Sequence, residues 1–377
     1  MLLNNGKKLF KNMKILFIAP RFHTNLYYRV KSLKDAGHDV YFLSLYKQHS
    51  ECYDVLEPRV LRSSRLNKIL PKLDSVLRKG DNFWKIKCNF PVRKDLKAEI
   101  KKINPDAVFI KGLQSVISLM SLWYVSKFTD KVFLLIQTDE HFIKTKKKKF
   151  LVKILKKYFK VKNIVTPLKN ISDKRDDFFI YVPFIIEAID FKKDYFKNDK
   201  INVISVGKYV KRKDQITLLK AINELKNRYE FSVTLVGEKV DEDVWNEIKD
   251  YIKNNGLEKM VKMEHNLDYK EMQKKYRESD IFILPSYNEP AAYSPVEAMA
   301  AKLPVICSDT CGTKCYVKEE ENGHIFKSKD YKDLAWKLEK VISDKENLKE
   351  TGARSFDVVR KRHSTDLFKN KFNKIIK

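Results

Sequence analysis

Pro285-Ser-Tyr-Asn-Glu-Pro-Ala-Ala-Tyr-Ser-Pro-Val-Glu-Ala-Met-Ala-Ala-Lys-Leu-Pro-Val-Ile306 is the stretch on which the fold turns. The apolar run Asp280 to Leu284 just before it reads as a buried strand. A loop of small and turn-forming residues follows, and a helix is expected from about Ser294. Ser294, with Pro295 next and Glu297 three residues on, has the pattern of a capping box with Pro at the first helical position. A helix that starts where a parallel strand ends offers free backbone N–H groups and positive dipole charge, which suit a phosphate. Glu289 and Glu297, eight residues apart, bracket the loop and can both reach one ligand lying across it. Carboxylates suit sugar hydroxyls because each accepts several hydrogen bonds.

The same alternation runs outward in both directions. Before the stretch, Asn202–Val206, Phe231–Val236 and Met260–Glu264 read as strands separated by helical periods, and Pro304–Cys307 follows as another. The N-terminal half repeats the pattern at Lys14–Ala19, Val40–Leu45, Asp106–Ile110, Val132–Ile136 and Asn163–Thr166. Short continuous apolar runs separated by helices predict parallel sheets covered on both faces. The expected architecture is α/β, with two Rossmann-like, doubly wound domains facing a central cleft. The organisation reads as an extension over 1–12, an N-terminal acceptor domain over 13–190, a C-terminal donor domain over 200–354, and a last helix over 355–377 packing back on the first domain.

The stretch resembles the large retaining glycosyltransferase family four: Glu289 and Glu297 match its Glu-x7-Glu motif, with Pro-Ser before the first Glu and Glu-Ala-Met-Ala at the second. The likeness covers most of 200–327 and is weaker in the first half. It implies a GT-B fold, a retaining reaction and no metal or other cofactor, with a nucleoside diphosphate sugar as co-substrate. By matching position, Glu289 contacts the donor sugar, Glu297 the ribose, and amides from Ala291, Ala292, Tyr293, Ser294 and Val296 the sugar and diphosphate. The family commonly has Gly after the first Glu; here Pro290 has no N–H to give.

A second piece, Ser205-Val-Gly-Lys-Tyr-Val-Lys-Arg-Lys-Asp214, closes a strand at Gly207 and continues into a basic loop. The resemblance implies a diphosphate clamp of an Arg after that Gly and a Lys before the helix. Lys213 fits the second role. Lys208 stands where Arg is usual, with Arg212 as a compensating cation, and Lys lacks the bidentate fork.

In the first domain, Ala19-Pro-Arg-Phe-His-Thr-Asn25 fills the first strand-to-helix loop, where His23, Thr24 and Asn25 are candidates for donor or acceptor contact or for capping. Gln137-Thr-Asp-Glu-His141 follows a strand and should face the cleft, so Asp139 and His141 are candidate catalytic residues by position. Lys111–Ser115 is a similar loop with less to mark it.

No metal site is expected. Cys307, Cys311 and Cys315 are spaced Cys-x3-Cys-x3-Cys, but Gly312 breaks the helix that would align them. Asp241-Glu-Asp243 imitates a metal motif yet reads as the acidic first turn of a helix. Five cysteines in 377 residues make no disulfide framework, which points to the cytosol. No run approaches the roughly 20 apolar residues that span a bilayer.

The net charge of +28 attracts polyanions. Ile143–Lys162 holds ten lysines and no acid, and Arg59–Lys94 holds eleven basic residues against two acidic ones. Either an interfacial helix or a domain helix with solvated lysines fits the first segment. The expected partners are a nucleotide-sugar donor, a glycan or lipid-linked acceptor, and an anionic membrane surface through Lys144–Lys162 and Arg59–Lys94, at the inner face of the cytoplasmic membrane. A sugar-nucleotide epimerase of the same fold and a basic nucleic-acid-binding protein are the alternatives, but no nucleic-acid motif accompanies the charge.

Overall fold

The computed structural model describes residues 12–48, 51–69, 87–137, 146–169 and 178–376. Asp139 and His141, most of the N-terminal extension and the middle of Arg59–Lys94 lie outside them. The first sheet contains β1 (Lys14–Ile18), β2 (Asp39–Ser44), β3 (Arg59–Val60), β4 (Ala107–Lys111), β5 (Val132–Leu135), β6 (Val161–Thr166) and β7 (Phe179–Tyr181). The second contains β8 (Ile201–Val206), β9 (Phe231–Val236), β10 (Val261–Glu264), β11 (Ile281–Leu284), β12 (Val305–Ser308) and β13 (Gly323–Phe326).

The sheet orders are β3-β2-β1-β4-β5-β6-β7 and β10-β9-β8-β11-β12-β13, and the assigned strand pairings are parallel. The chain reverses its direction of winding between β1 and β4 and again between β8 and β11. At such points the loops beyond the strands part and leave a crevice.

Register explains why the first sheet holds. Phe17 pairs with Phe109 and Phe109 with Phe133, and the rings stack at 5.1 and 4.8 Å across three neighbouring strands. Such ladders contribute about 0.5–1.5 kcal/mol per pair beyond the area they bury.

Two features tie the domains together. Val182, Phe184, Ile185 and Ile186 of the connecting segment are buried. The expected single terminal helix from Ser355 is two helices, Lys345–Arg362 and Thr365–Ile376, broken at His363. Buried His363 bonds through Nδ1 to the Phe184 carbonyl at 2.7 Å, and its own carbonyl accepts from Ile186 N–H. Burial lowers the imidazole to about 4, so it stays neutral there. The last helix then packs against the first domain, with the Phe372 ring beside Phe109.

Candidate active site

The second domain's wall is built from the loops after β8 and β11. Gly207 has no side chain because Lys213 folds back over it: a Cβ there would lie 2.8 Å from the Lys213 Cδ. A short 3-10 turn, Lys211–Lys213, aims the two basic side chains at the next loop. Lys213 Nζ donates to Glu289 Oε2 at 2.6 Å, and Arg212 Nη1 donates to the same oxygen. The Tyr287 amide donates to the Arg212 carbonyl at 3.0 Å and fastens one loop to the other. Glu289 is buried, which pushes its carboxyl up; the pull of Lys213 and Arg212 outweighs that and holds it below its ordinary value. Among the described residues no hydrogen bond falls on its other oxygen, Oε1, so the ionised group keeps capacity for a ligand hydroxyl.

Gly312 makes room for this strand of loop. Its amide donates to the Glu289 carbonyl at 2.8 Å, and a Cβ on it would meet the Pro290 carbonyl oxygen at 1.9 Å.

Three expectations at this wall are corrected. There is no capping box: Tyr293, with helical backbone angles, takes the N-cap position of the helix Ser294–Ala300 and no side chain caps it. Glu297 instead accepts from the Tyr276 hydroxyl at 3.1 Å. Val296 N–H donates to the Tyr293 carbonyl at 2.9 Å and is not free for a ligand, while the Tyr293 hydroxyl donates to the Ile185 carbonyl at 2.6 Å. Lys208 does not join the clamp; its ammonium pairs with Glu238 at 2.6 Å. Ala291, Ala292, Tyr293 and Ser294 donate to no backbone acceptor among the described residues, which leaves their amides for an anion. Ala291 lines the cleft; Ala292 and Ser294 lie buried behind it.

The opposite wall comes from the carboxyl ends of β1, β2, β4 and β5. His23, rather than Thr24 or Asn25, caps the helix Thr24–Asp35, its Nδ1 accepting from Asn25 N–H at 3.3 Å. Burial, then the charges of Lys111, Arg21 and Lys208, hold that imidazole well below its ordinary value and therefore neutral. Lys111 Nζ reaches Asn25 Oδ1 at 3.4 Å. Burial, with Arg21 and Arg29 nearby, lowers the Lys111 ammonium to about 7. Arg21 pairs with buried Glu51 at 3.1 Å. Sequence reasoning passed over Arg21 and gave Lys111 little weight. Lys111 ends β4 and Arg21 lies in the loop after β1, the two strands that flank the first switch point, and that position was the available signal.

Between the walls lies a cavity of about 640 Å³, lined on one side by Arg21, Lys111 and Gln137 and on the other by Arg212, Glu289 and Ala291. Asp241 is a helix cap, accepting from Val244 N–H at 3.3 Å with Glu242 and Asp243 in the first turn.

Glu297 sits under a roof of tyrosines from both domains. The Tyr28 and Tyr269 hydroxyls meet at 2.7 Å, and the Tyr27 and Tyr269 rings stack at 5.9 Å. Burial raises the Glu297 carboxyl from 4.5 to about 7, against the lowering effect of the Tyr276 hydroxyl. Free chain ionises near 4.5 while the folded group keeps its proton to about 7, so this residue's contribution to stability falls as pH rises through that window. If a ligand's hydroxyls donate to the ionised form, affinity rises between pH 6 and 8. The expected result is that nucleotide affinity at pH 8 relative to pH 6 is several-fold higher in wild type than in Glu297→Gln, which keeps only the opposing loss of the Lys111 charge, checked by calorimetry across that range.

Residues 187–356 match the model of the family described as glycosyl transferases group 1. With 96% of this chain and 99% of that one aligned, the structure of Anabaena HepE in complex with UDP-glucose superposes at a TM-score of 0.71 and 13% identity.

This is the GT-B fold.

The GT-B chain also resembles an uncharacterized glycosyltransferase, MJ1607, of Methanocaldococcus jannaschii, 26% identical over 42% of this chain and 40% of that one. The capsular polysaccharide biosynthesis glycosyltransferase CapM of Staphylococcus aureus is 28% identical over 41% of this chain and 40% of its own. The matches thus span about two-fifths of each curated relative's length.

Proposed function

We propose that the chain is a retaining, metal-independent glycosyltransferase of the hexosyltransferase type. It moves a sugar from a nucleoside diphosphate sugar to a hydroxyl of a glycan or lipid-linked cell-surface polysaccharide precursor. One observation carries this: two cations from the loop after β8 converge on a buried carboxylate from the loop after β11, at a switch point and beside an interdomain cavity.

Charge grows on the diphosphate as the sugar–phosphate bond breaks. Preorganised cations in a partly buried site stabilise it without reorganisation. Lys213 and Arg212 fill that role and do electrostatically what a divalent metal does elsewhere, assisted by the amide of Ala291, which lines the cleft. Glu289 orients the sugar and Glu297 the ribose hydroxyls. The match of residues 187–356 covers both loops, and the named function of CapM and the UDP-glucose bound to HepE support the polysaccharide and donor parts of the reading.

The basic segments Lys144–Lys162 and Arg59–Lys94 are proposed to meet the inner face of the cytoplasmic membrane. Phe150 and Tyr158 are exposed beside Lys153, Lys156 and Lys157 on the helix Lys146–Phe159, as an interfacial helix requires.

The test is turnover of UDP-, GDP- and ADP-sugars in excess chelator, with the anomer of the released or transferred sugar read by NMR. Nucleoside diphosphate release with the donor's anomeric configuration kept is expected. A requirement for added metal, or an inverted product, contradicts the mechanism. An isomerised sugar nucleotide with no nucleotide released moves the chain to the epimerase class.

A further inference from the structure

Five consecutive carbonyls of the segment that joins the domains are each taken by a side chain. Lys371 Nζ donates to the Tyr181 carbonyl at 3.1 Å, Arg29 Nη2 to those of Val182 and Pro183 at 3.2 and 3.4 Å, and His363 Nδ1 to that of Phe184 at 2.7 Å. The Tyr293 hydroxyl takes the fifth, that of Ile185, at 2.6 Å. The helix Thr24–Asp35 of the first domain, the terminal helices and the loop that carries Glu289 thus meet on one stretch of backbone. Arg29, His363 and Tyr293 are buried, so water does not replace a lost donor there.

Two of these donors lead to opposite walls of the cleft. Arg29 stands on the helix that leads directly out of the loop of Arg21, and among the described residues it pairs with no carboxylate; the linker carbonyls take its charge-assisted bonds. Tyr293 stands in the donor loop. Its own carbonyl accepts from Val296 N–H and opens the helix that holds Glu297, and Ala291, two residues before it, lines the cleft. Its ring meets Phe184 edge-on at 5.2 Å. The earlier part of the loop is fastened inside the second domain instead. Tyr287 N–H donates to the Arg212 carbonyl, Asn288 N–H to Thr310 Oγ1 at 3.2 Å, and Gly312 N–H to the Glu289 carbonyl.

From this convergence we infer that Tyr293 is a positioning residue for sugar transfer. Its bond to Ile185 sets the donor loop against the connecting segment and, through Arg29, against the first domain's wall. The clamp of Lys213 and Arg212 does not need that bond, since the loop up to Glu289 is held within its own domain. Alignment of the sugar with groups on the opposite wall does need it, and a misplacement of about 1 Å costs on the order of 100-fold in rate. The inference rests on the glycosyltransferase reading.

Tyr293→Phe keeps the ring against Phe184 and removes only the hydroxyl. Turnover of UDP-, GDP- and ADP-sugars is measured beside calorimetric affinity for UDP, GDP and ADP in wild type, Tyr293→Phe, Arg29→Lys and the double variant. The kcat of Tyr293→Phe is expected about tenfold or more below wild type, with affinity for the selected nucleotide within about twofold. Arg29→Lys gives the same split, and the double variant loses no more than the worse single, because both act through one segment. In hydrogen exchange, the nucleotide slows exchange of residues 182–186 in wild type and not in Tyr293→Phe. That reading needs no second substitution, so it decides if Arg29→Lys does not fold. Undiminished kcat in Tyr293→Phe, kcat and nucleotide affinity falling in parallel, losses that multiply in the double variant, or retained protection of 182–186 in Tyr293→Phe overturns the inference alone. Wild type that binds none of the three nucleotides overturns the glycosyltransferase reading and this inference with it.

Discussion

Lys213→Met lowers kcat/KM for nucleotide-sugar turnover by about 10²–10³-fold, the loss typical of removing one preorganised donor from a developing oxyanion. Methionine retains an unbranched stem that can lie over Gly207, where the lysine's methylenes now pack, so the change is chiefly one of charge. The Lys213 side chain is only 12% exposed, and water and salt screen its charge weakly. Arg212 is 40% exposed on its side chain, and Arg212→Gln therefore has the smaller effect, on the order of tenfold. Lys213→Met also leaves Glu289 with one cation instead of two, so its carboxyl rises and the low-pH limb of the rate profile moves up. Steady-state kinetics on the two variants across pH 5 to 8 checks both statements. Equal losses from the two would mean that burial does not set their strength.

Glu289→Gln separates the sugar's contribution from the diphosphate's. The amide keeps the shape of the carboxylate but neither its charge nor its full acceptor capacity, and it frees Lys213 and Arg212 from their present partner. Turnover falls by about 10²–10³-fold because the sugar loses its charged anchor. On the proposed assignment the free nucleoside diphosphate does not reach that anchor, so it is expected to bind as tightly as before or more tightly. Product-inhibition constants measured beside kcat make the comparison. A carboxylate that only holds two cations in place would give a different result: nucleotide affinity and turnover would fall together, with a lower melting temperature.

Much of the fold was legible because a parallel strand buried on both faces reads as an unbroken apolar run. The missed strands lack that signal: β3 is two exposed residues at a sheet edge, β7 is three half-buried ones at the other edge, and β13 opens on a glycine. At the site, Lys213 and Glu289 could be read because each belongs to a local strand–loop–helix unit. The capping box misled because the pattern is satisfied by spacing alone, whereas Tyr293 enters the helical region one residue early and Tyr276, 21 residues upstream of Glu297, claims the carboxylate. Lys208 misled similarly, since Glu238 comes from the loop after the neighbouring strand β9. Arg21 and Lys111 are 90 residues apart in the chain, and only the pairing of β1 with β4 brings them to one wall. No local window of sequence contains such a contact.

Direct binding tests best whether this cleft holds a nucleoside diphosphate sugar. UDP-, GDP- and ADP-sugars would be titrated calorimetrically, in chelator, into wild type and Glu297→Ala. Metal-free binding that selects one nucleotide and weakens at least tenfold in the variant is expected. Absence of binding to any of the three, or identical affinity in wild type and Glu297→Ala, would contradict it.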